Sequence, residues 1–162
     1  MNRKSAARKQ TPKRTRKPAA AKPRAPKKAQ AGAAVDEASA EYVAKFASAV
    51  SVLTEAQDHW VAEVDLVSRQ PALMHDPQWQ ARSSASMNTM LMAANALRIE
   101  PVPEPMKATD ELLARAQEEA RTAVDGYSAA IHSSNARQLI AVMQRVDHMS
   151  QLIQEAYEQL KR

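Results

Sequence analysis

The chain has 162 residues, no cysteine, two glycines and a formal net charge of +5. Lack of cysteine excludes disulfides and thiolate chemistry, and two glycines are too few for a phosphate-cradling loop. No apolar run reaches the ~18 residues of a spanning helix, and there is no secretory apolar stretch of about 7–15 residues.

Charge is divided very unevenly along the chain. Residues 1–35 contain twelve Lys or Arg and no Asp or Glu, whereas residues 36–162 contain eleven Lys or Arg against eighteen Asp or Glu. A tail of charge +12 is thus joined to a body of charge −7. Between Asn2 and Ala34 there is no Leu, Ile, Val, Met, Phe, Tyr or Trp. Such a segment has too little to bury to offset the entropy of ordering itself. Pro12, Pro18, Pro23 and Pro26 also remove backbone donors. Residues 1–35 are therefore expected to be a disordered basic tail.

The cations of that tail are Arg3, Lys4, Arg8, Lys9, Lys13, Arg14, Arg16, Lys17, Lys22, Arg24, Lys27 and Lys28. Mobile Lys and Arg neutralise phosphates and release condensed counterions, so these twelve are the candidate nucleic-acid-binding residues. The segments Lys17-Pro18, Ala21-Lys22-Pro23-Arg24 and Ala25-Pro26-Lys27-Lys28 resemble the Lys/Ala/Pro-rich tails of linker histones and bacterial histone-like proteins. Thr11-Pro12-Lys13-Arg14 is similar to the Ser/Thr-Pro-basic-basic element of those tails. The resemblance covers residues 3–28 and implies DNA or RNA as a non-specific partner.

Residues 36–162 read as one helical domain. Val43, Phe46, Val50, Leu53, Gln57, Trp60, Val64 and Val67 alternate steps of three and four, a heptad seam with one polar member, Gln57. This places a first helix at 37–69, ended by Pro71. Asp76 is the expected N-cap of a second helix, with Pro77 at its first position. That helix is expected to bury Trp79, Ser83, Met87, Met90, Leu91, Ala94 and Leu97 and to run to Arg98. Pro101, Pro103 and Pro105 make a stiff connector. Thr109 or Asp110 is the expected cap of a third helix, with Leu113, Ala116, Ala120, Val124, Tyr127 and Ile131 on its inner face. Ser133-Ser134-Asn135 interrupts the pattern and re-caps. A fourth helix carries Leu139, Val142, Val146, Met149, Ile153, Ala156 and Leu160. The fold class expected is all-α: an antiparallel up-down four-helix bundle.

Chemistry-bearing residues are few. Glu55, His59 and Glu63 have metal-compatible helical spacing. They lie opposite the heptad seam and read as a solvated charged face, on which Glu63→Ala is expected to be nearly neutral. No Glu-x-x-His pair occurs. His132 falls near a helix end, His148 on an outer face and His75 in a loop. Met87, Met90, Met92 and Met149 read as core filling. No serine has the sequence context of a nucleophile, so no enzyme, cofactor or metal is expected.

The function expected is that of a non-enzymatic nucleic-acid-associated protein, architectural or tethering. Its tail grips phosphates, and its acidic bundle self-associates, as homo-oligomers do, or recruits a protein partner. Localisation would be cytoplasmic, at the nucleoid in a bacterium or the nucleus in a eukaryote. Two other readings stay open. An amphipathic helical body with a basic Ala/Lys/Pro tail resembles the plan of phasins, proteins of granule surfaces. A helical sensor or adaptor bundle localised by its tail is the third.

Overall fold

Past Pro26 no proline interrupts the chain until Pro71, and the backbone follows one long helix, α1 (Lys28–Arg69). The computed structural model describes residues 28–161. Besides α1 it contains α2 (Pro77–Ala96), α3 (Lys107–His132) and α4 (Ala136–Leu160), and no strand among the described residues. The protein is all-α, and its helices form a bundle.

The helix α1 begins nine residues before the expected start at 37. Residues 28–35 were expected to belong to the unstructured tail; their backbone is helical instead. Four of these eight residues are alanine, the strongest helix former, and the last proline lies behind them. Residues 1–27 lie outside the described residues.

The helix boundaries have local causes. Pro71 cannot continue α1 and opens a 3-10 turn, Pro71–His75, that inserts Met74 into the core. The Asp76 carboxylate accepts from the Gln78 backbone N–H at 2.9 Å, and Pro77 occupies the first helical position, as expected. The connector after α2 buries Ile99 and ends in a 3-10 turn, Glu104–Met106. That turn starts α3 at Lys107, so neither Thr109 nor Asp110 caps it. The Thr109 hydroxyl instead donates to Gln159 Oε1 at 3.4 Å, and Asp110 faces Arg98 at 3.4 Å. Between α3 and α4, Ser134 takes φ 50°, and Asn135 Oδ1 accepts from the Arg137 N–H at 3.1 Å.

Contacts along each neighbouring pair run in opposite chain directions. Trp79 Nε1 of α2 donates to Glu63 O of α1 at 2.9 Å, whereas Ala93 lies across from Ala49. Ser83 meets Tyr127, and Asn95 meets Gln117 at 2.6 Å. Glu119 meets Arg145 at 3.1 Å, and Thr109 meets Gln159. On the remaining side, Ser150 Oγ donates to Gln57 Oε1 at 2.8 Å, and Phe46 stacks on Tyr157 at 6.5 Å.

The buried faces of α2 and α4 follow the expected positions, with Leu91 and Leu160 only partly buried; on α3, Ala123 and Ala130 are buried where Val124 and Ile131 were expected, and those two are only partly buried. On α1 five of the eight expected seam members, Phe46, Leu53, Trp60, Val64 and Val67, are buried; at the other three the preceding residue, Tyr42, Ala49 or Ala56, replaces Val43, Val50 or Gln57. The buried row of α1 is Tyr42, Phe46, Ala49, Leu53, Ala56, Trp60, Val64 and Val67. Val43 is 38% exposed, Val50 is partly buried, and Gln57 lies at the flank as the acceptor for Ser150. Alanines at 49 and 56 allow α2 to approach closely, which the larger Val50 and Gln57 would obstruct.

The largest core groups form one connected set. Trp60, fully buried, packs edge-on against Tyr127, with centroids 6.4 Å apart and rings at 77°. Ser83 Oγ donates to Trp79 O at 2.9 Å. Its single proton is thereby used, so the Tyr127 hydroxyl is the donor to Ser83. This set ties α1, α2 and α3 together. Tyr127→Phe removes the buried hydrogen bond to Ser83 and the part-buried one with Ser84 at 3.3 Å, while Ser83 keeps its bond to Trp79 O, and should cost about 1–2 kcal/mol. Leu113→Ala opens a cavity at a fully buried site and should cost about 2–5 kcal/mol. Urea titration followed by circular dichroism checks both values and their order.

Candidate functional site

Of the twelve predicted phosphate-binding cations, eleven lie outside the described residues, and Lys28 opens α1. The cations of the body can be placed. Eight of the ten Lys and Arg between residues 37 and 161 lie within 4.0 Å of a carboxylate. Typical separations are 2.7 Å for Lys45–Glu41, 2.8 Å for Arg82–Glu63 and 3.1 Å for Arg145–Glu119. Only Arg115 and Arg137, on different helices, lack such a pair within that range. The described surface therefore carries no row of uncompensated cations. Asp58, Glu111, Asp125, Asp147 and Glu155 have no ion pair of this kind, so the surplus charge is negative.

The Glu55–His59–Glu63 spacing does not become a cluster. His59 stands 4.0 Å from Glu55, while Glu63 turns to α2, where its carboxylate accepts from Arg82 Nε at 2.8 Å and Nη2 at 3.3 Å. Glu63 was expected to face water; it is half-buried, and its backbone carbonyl accepts from Trp79. Among the described residues no three His, Cys, Asp or Glu side chains are placed to share a metal ion. His148 Nδ1 lies 3.1 Å from Glu119 Oε1, beside Arg145. Glu63→Ala should accordingly lower the melting temperature more than Glu55→Ala, contrary to the neutrality expected from sequence. A Glu63→Ala/Arg82→Ala double-mutant cycle should show less than additive loss.

Met87, Met90 and Met149 are core residues. Met92 is not: it is 72% exposed, two residues past Met90 and off the three–four spacing of the buried row. It stands over a groove of about 680 Å³ between α1 and α2, whose floor includes Ala49 and Ala93 and whose wall includes Val52, 47% exposed. Sequence reasoning missed this groove, because its floor is alanine and its walls come from two helices. No family model, curated protein or solved structure matches the chain. Among the described residues no helix is long and apolar enough to cross a membrane.

At one end of the groove, Tyr42 of α1 is 1% exposed, and its hydroxyl has no hydrogen-bond partner. Burial, reinforced by the nearby Asp110 carboxylate and partly opposed by Arg98, pushes the Tyr42 hydroxyl up to about 12. A raised folded-state value means that the neutral hydroxyl favours the fold fully below pH 10.0, and that this contribution is lost as pH rises towards about 12. Tyr42→Phe should be at least as stable as the parent at pH 7, since it removes an unpartnered buried group. It should also lose less stability than the parent between pH 10.0 and about 12. Thermal melts across that range check the difference.

Proposed function

We propose that the chain is a non-enzymatic nucleic-acid-associated protein with an architectural or tethering role. In this reading the basic N-terminal segment is unstructured up to α1 and binds DNA or RNA phosphates without sequence preference. The body is an antiparallel up-down four-helix bundle that self-associates or recruits a protein partner. The protein would act in the cytoplasm, at the nucleoid in a bacterium or the nucleus in a eukaryote. The observation that carries the reading is the separation of charge: twelve cations without one acid in residues 1–35, against a net-negative remainder.

Two features support this division of labour. Cations of the body stand beside carboxylates, so a polyanion gains little there and meets surplus negative charge. The opposite chain directions of neighbouring contacts favour up-down topology, and the α1–α2 groove favours a body that meets another protein. Exposed Val52 and Met92 flank this groove, and exposed Ile140 lines a separate groove between α1 and α4. A partner helix suits that distribution better than the broad apolar face needed to coat a granule.

Salt titration of the full-length chain against duplex DNA, RNA and anionic vesicles tests the proposal. If six to ten phosphates are neutralised, affinity for DNA should fall about 10³–10⁵-fold between 50 and 200 mM salt. Replacing Lys13, Arg14, Arg16 and Lys17 together by Gln should weaken binding to all sequences alike. Removal of residues 1–27 should abolish it. Binding that survives this truncation, or that ignores salt, would overturn the reading.

A further inference from the structure

We propose that the outer groove between α1 and α2 is a self-association surface, on which a second copy of this chain lays its own α1 antiparallel about a two-fold axis. This deepens the self-association half of the function proposed above and rests on it, but does not involve the tail.

The row of α1 that borders the groove is Glu41, Lys45, Ser48, Val52, Glu55 and His59. Its steps are four, three, four, three, four, and every member is exposed. It is a second heptad row, one position behind the buried row Tyr42, Phe46, Ala49, Leu53, Ala56 and Trp60. The buried row packs inside the bundle. The second row has α2 on one side and, among the described residues, no further helix over it. Across the groove α2 offers small residues, Ala85, Thr89, Ala93 and Ala96. The groove continues from its 680 Å³ main section into one of about 300 Å³, the two sharing Val52 and Thr89. Small residues along a groove permit close approach of a helix. Val52 and Met92 are the apolar groups that docking would remove from water.

The chain's own N-terminal segment does not suit this groove. Between Asn2 and Ala34 it has no apolar side chain beyond Ala and Pro. A second copy does suit it, because the row is complementary to itself in one direction only. With two rows antiparallel about residue 50, Glu41 lies opposite His59, Lys45 opposite Glu55, and Ser48 opposite Val52. All three pairs recur twice, as a two-fold interface requires. In a parallel, in-register arrangement Glu41, Lys45 and Glu55 would each face an identical charge. Opposite charges flanking an apolar centre set both partner and direction in helix pairing. Within one chain Lys45 already reaches Glu41 at 2.7 Å, and His59 lies 4.0 Å from Glu55. The second copy would join these into two mixed clusters, one on each side of Val52.

Sedimentation equilibrium of the full-length, nucleic-acid-free chain at 150 and 500 mM salt tests the proposal, with binding to duplex DNA measured in parallel. The expected result is a dimer. Val52→Lys should weaken it by about tenfold or more, since a charge enters the apolar centre. Lys45→Glu and Glu55→Lys should each weaken it, and the Lys45→Glu/Glu55→Lys chain should recover most of the loss, because the swap restores opposite charges across the interface. Ile140→Lys, on α4, should leave it unchanged. Helicity by circular dichroism verifies that each exposed-site variant folds. A single-chain mass at all concentrations overturns the proposal. So does a dimer sensitive to Ile140→Lys but not to Val52→Lys, or one that the charge swap fails to restore. Salt-sensitive DNA binding by a monomer would overturn the dimer and leave the tail's role standing. A dimer without DNA binding would do the reverse.

Discussion

The contact between Trp60 and Tyr127 is the point at which three of the four helices are tied together. Trp60 is fully buried on α1, Tyr127 sits edge-on to it from α3, and the Tyr127 hydroxyl ends on Ser83 of α2. Trp79, one turn before Ser83, then reaches back to the Glu63 carbonyl of α1. An apolar core of Leu, Val and Ala permits several rotations of one helix against another. This set does not, because a rotation would separate a hydrogen bond as well as an apolar surface. Ala116, Ala120 and Ala123 continue the buried face of α3 with small side chains. At Gly126 a Cβ would come within 3.3 Å of Val142 on α4.

The same size matching explains what was legible in the sequence. On α2 and α4 the large residues Trp79, Met87, Met90, Val142 and Met149 occur at three–four spacing and mark the buried face directly, whereas on α3 Ala123 and Ala130 displace the larger Val124 and Ile131. On α1 two rows compete. Val50 is larger than Ala49, and apolar size alone favours it. Close approach of α2 favours alanine at 49 and 56, and the buried row shifts by one position there. Met74 and Ile99 lie in connectors, where periodicity carries no information, yet both are buried. The start of α3 was misplaced for a related reason. Thr109 and Asp110 have capping chemistry, but tertiary partners, Gln159 and Arg98, engage them inside the first turn. The candidate site was legible only as composition in the tail; the groove has no sequence signature, since it is made of what is small.

Electrostatics follows a different logic from packing. Each body cation that pairs does so locally, at i,i+3 or i,i+4 or with an adjacent helix. Glu63 and Glu119 are half-buried, and each has an arginine from the neighbouring helix, Arg82 and Arg145. The fully exposed pairs at i,i+3 and i,i+4 add little to stability. Together the pairs leave Arg115 and Arg137 as the described body cations without a carboxylate within 4.0 Å. A segment with twelve cations and no acid thus differs sharply in charge from the body to which it is joined.

Joining the two proposals has a geometric consequence. With two α1 helices antiparallel about residue 50, each Lys28 end lies 22 residues from the axis, on opposite sides. At about 1.5 Å per residue the two starts of α1 are about 65 Å apart. The basic segments then leave the dimer in opposite directions. A parallel dimer would bring both to one end, where +12 would meet +12 and the pair would act as a single clamp on one duplex. The antiparallel dimer separates the like charges well beyond a Debye length of about 8 Å. It also places each tail where it engages a different stretch of polyanion, so binding by one tail does not raise the local concentration of phosphate at the other as strongly as in a clamp. Such a molecule bridges two segments rather than coating one, and the direction of α1 pairing, set by Lys45 and Glu55, is what decides between them.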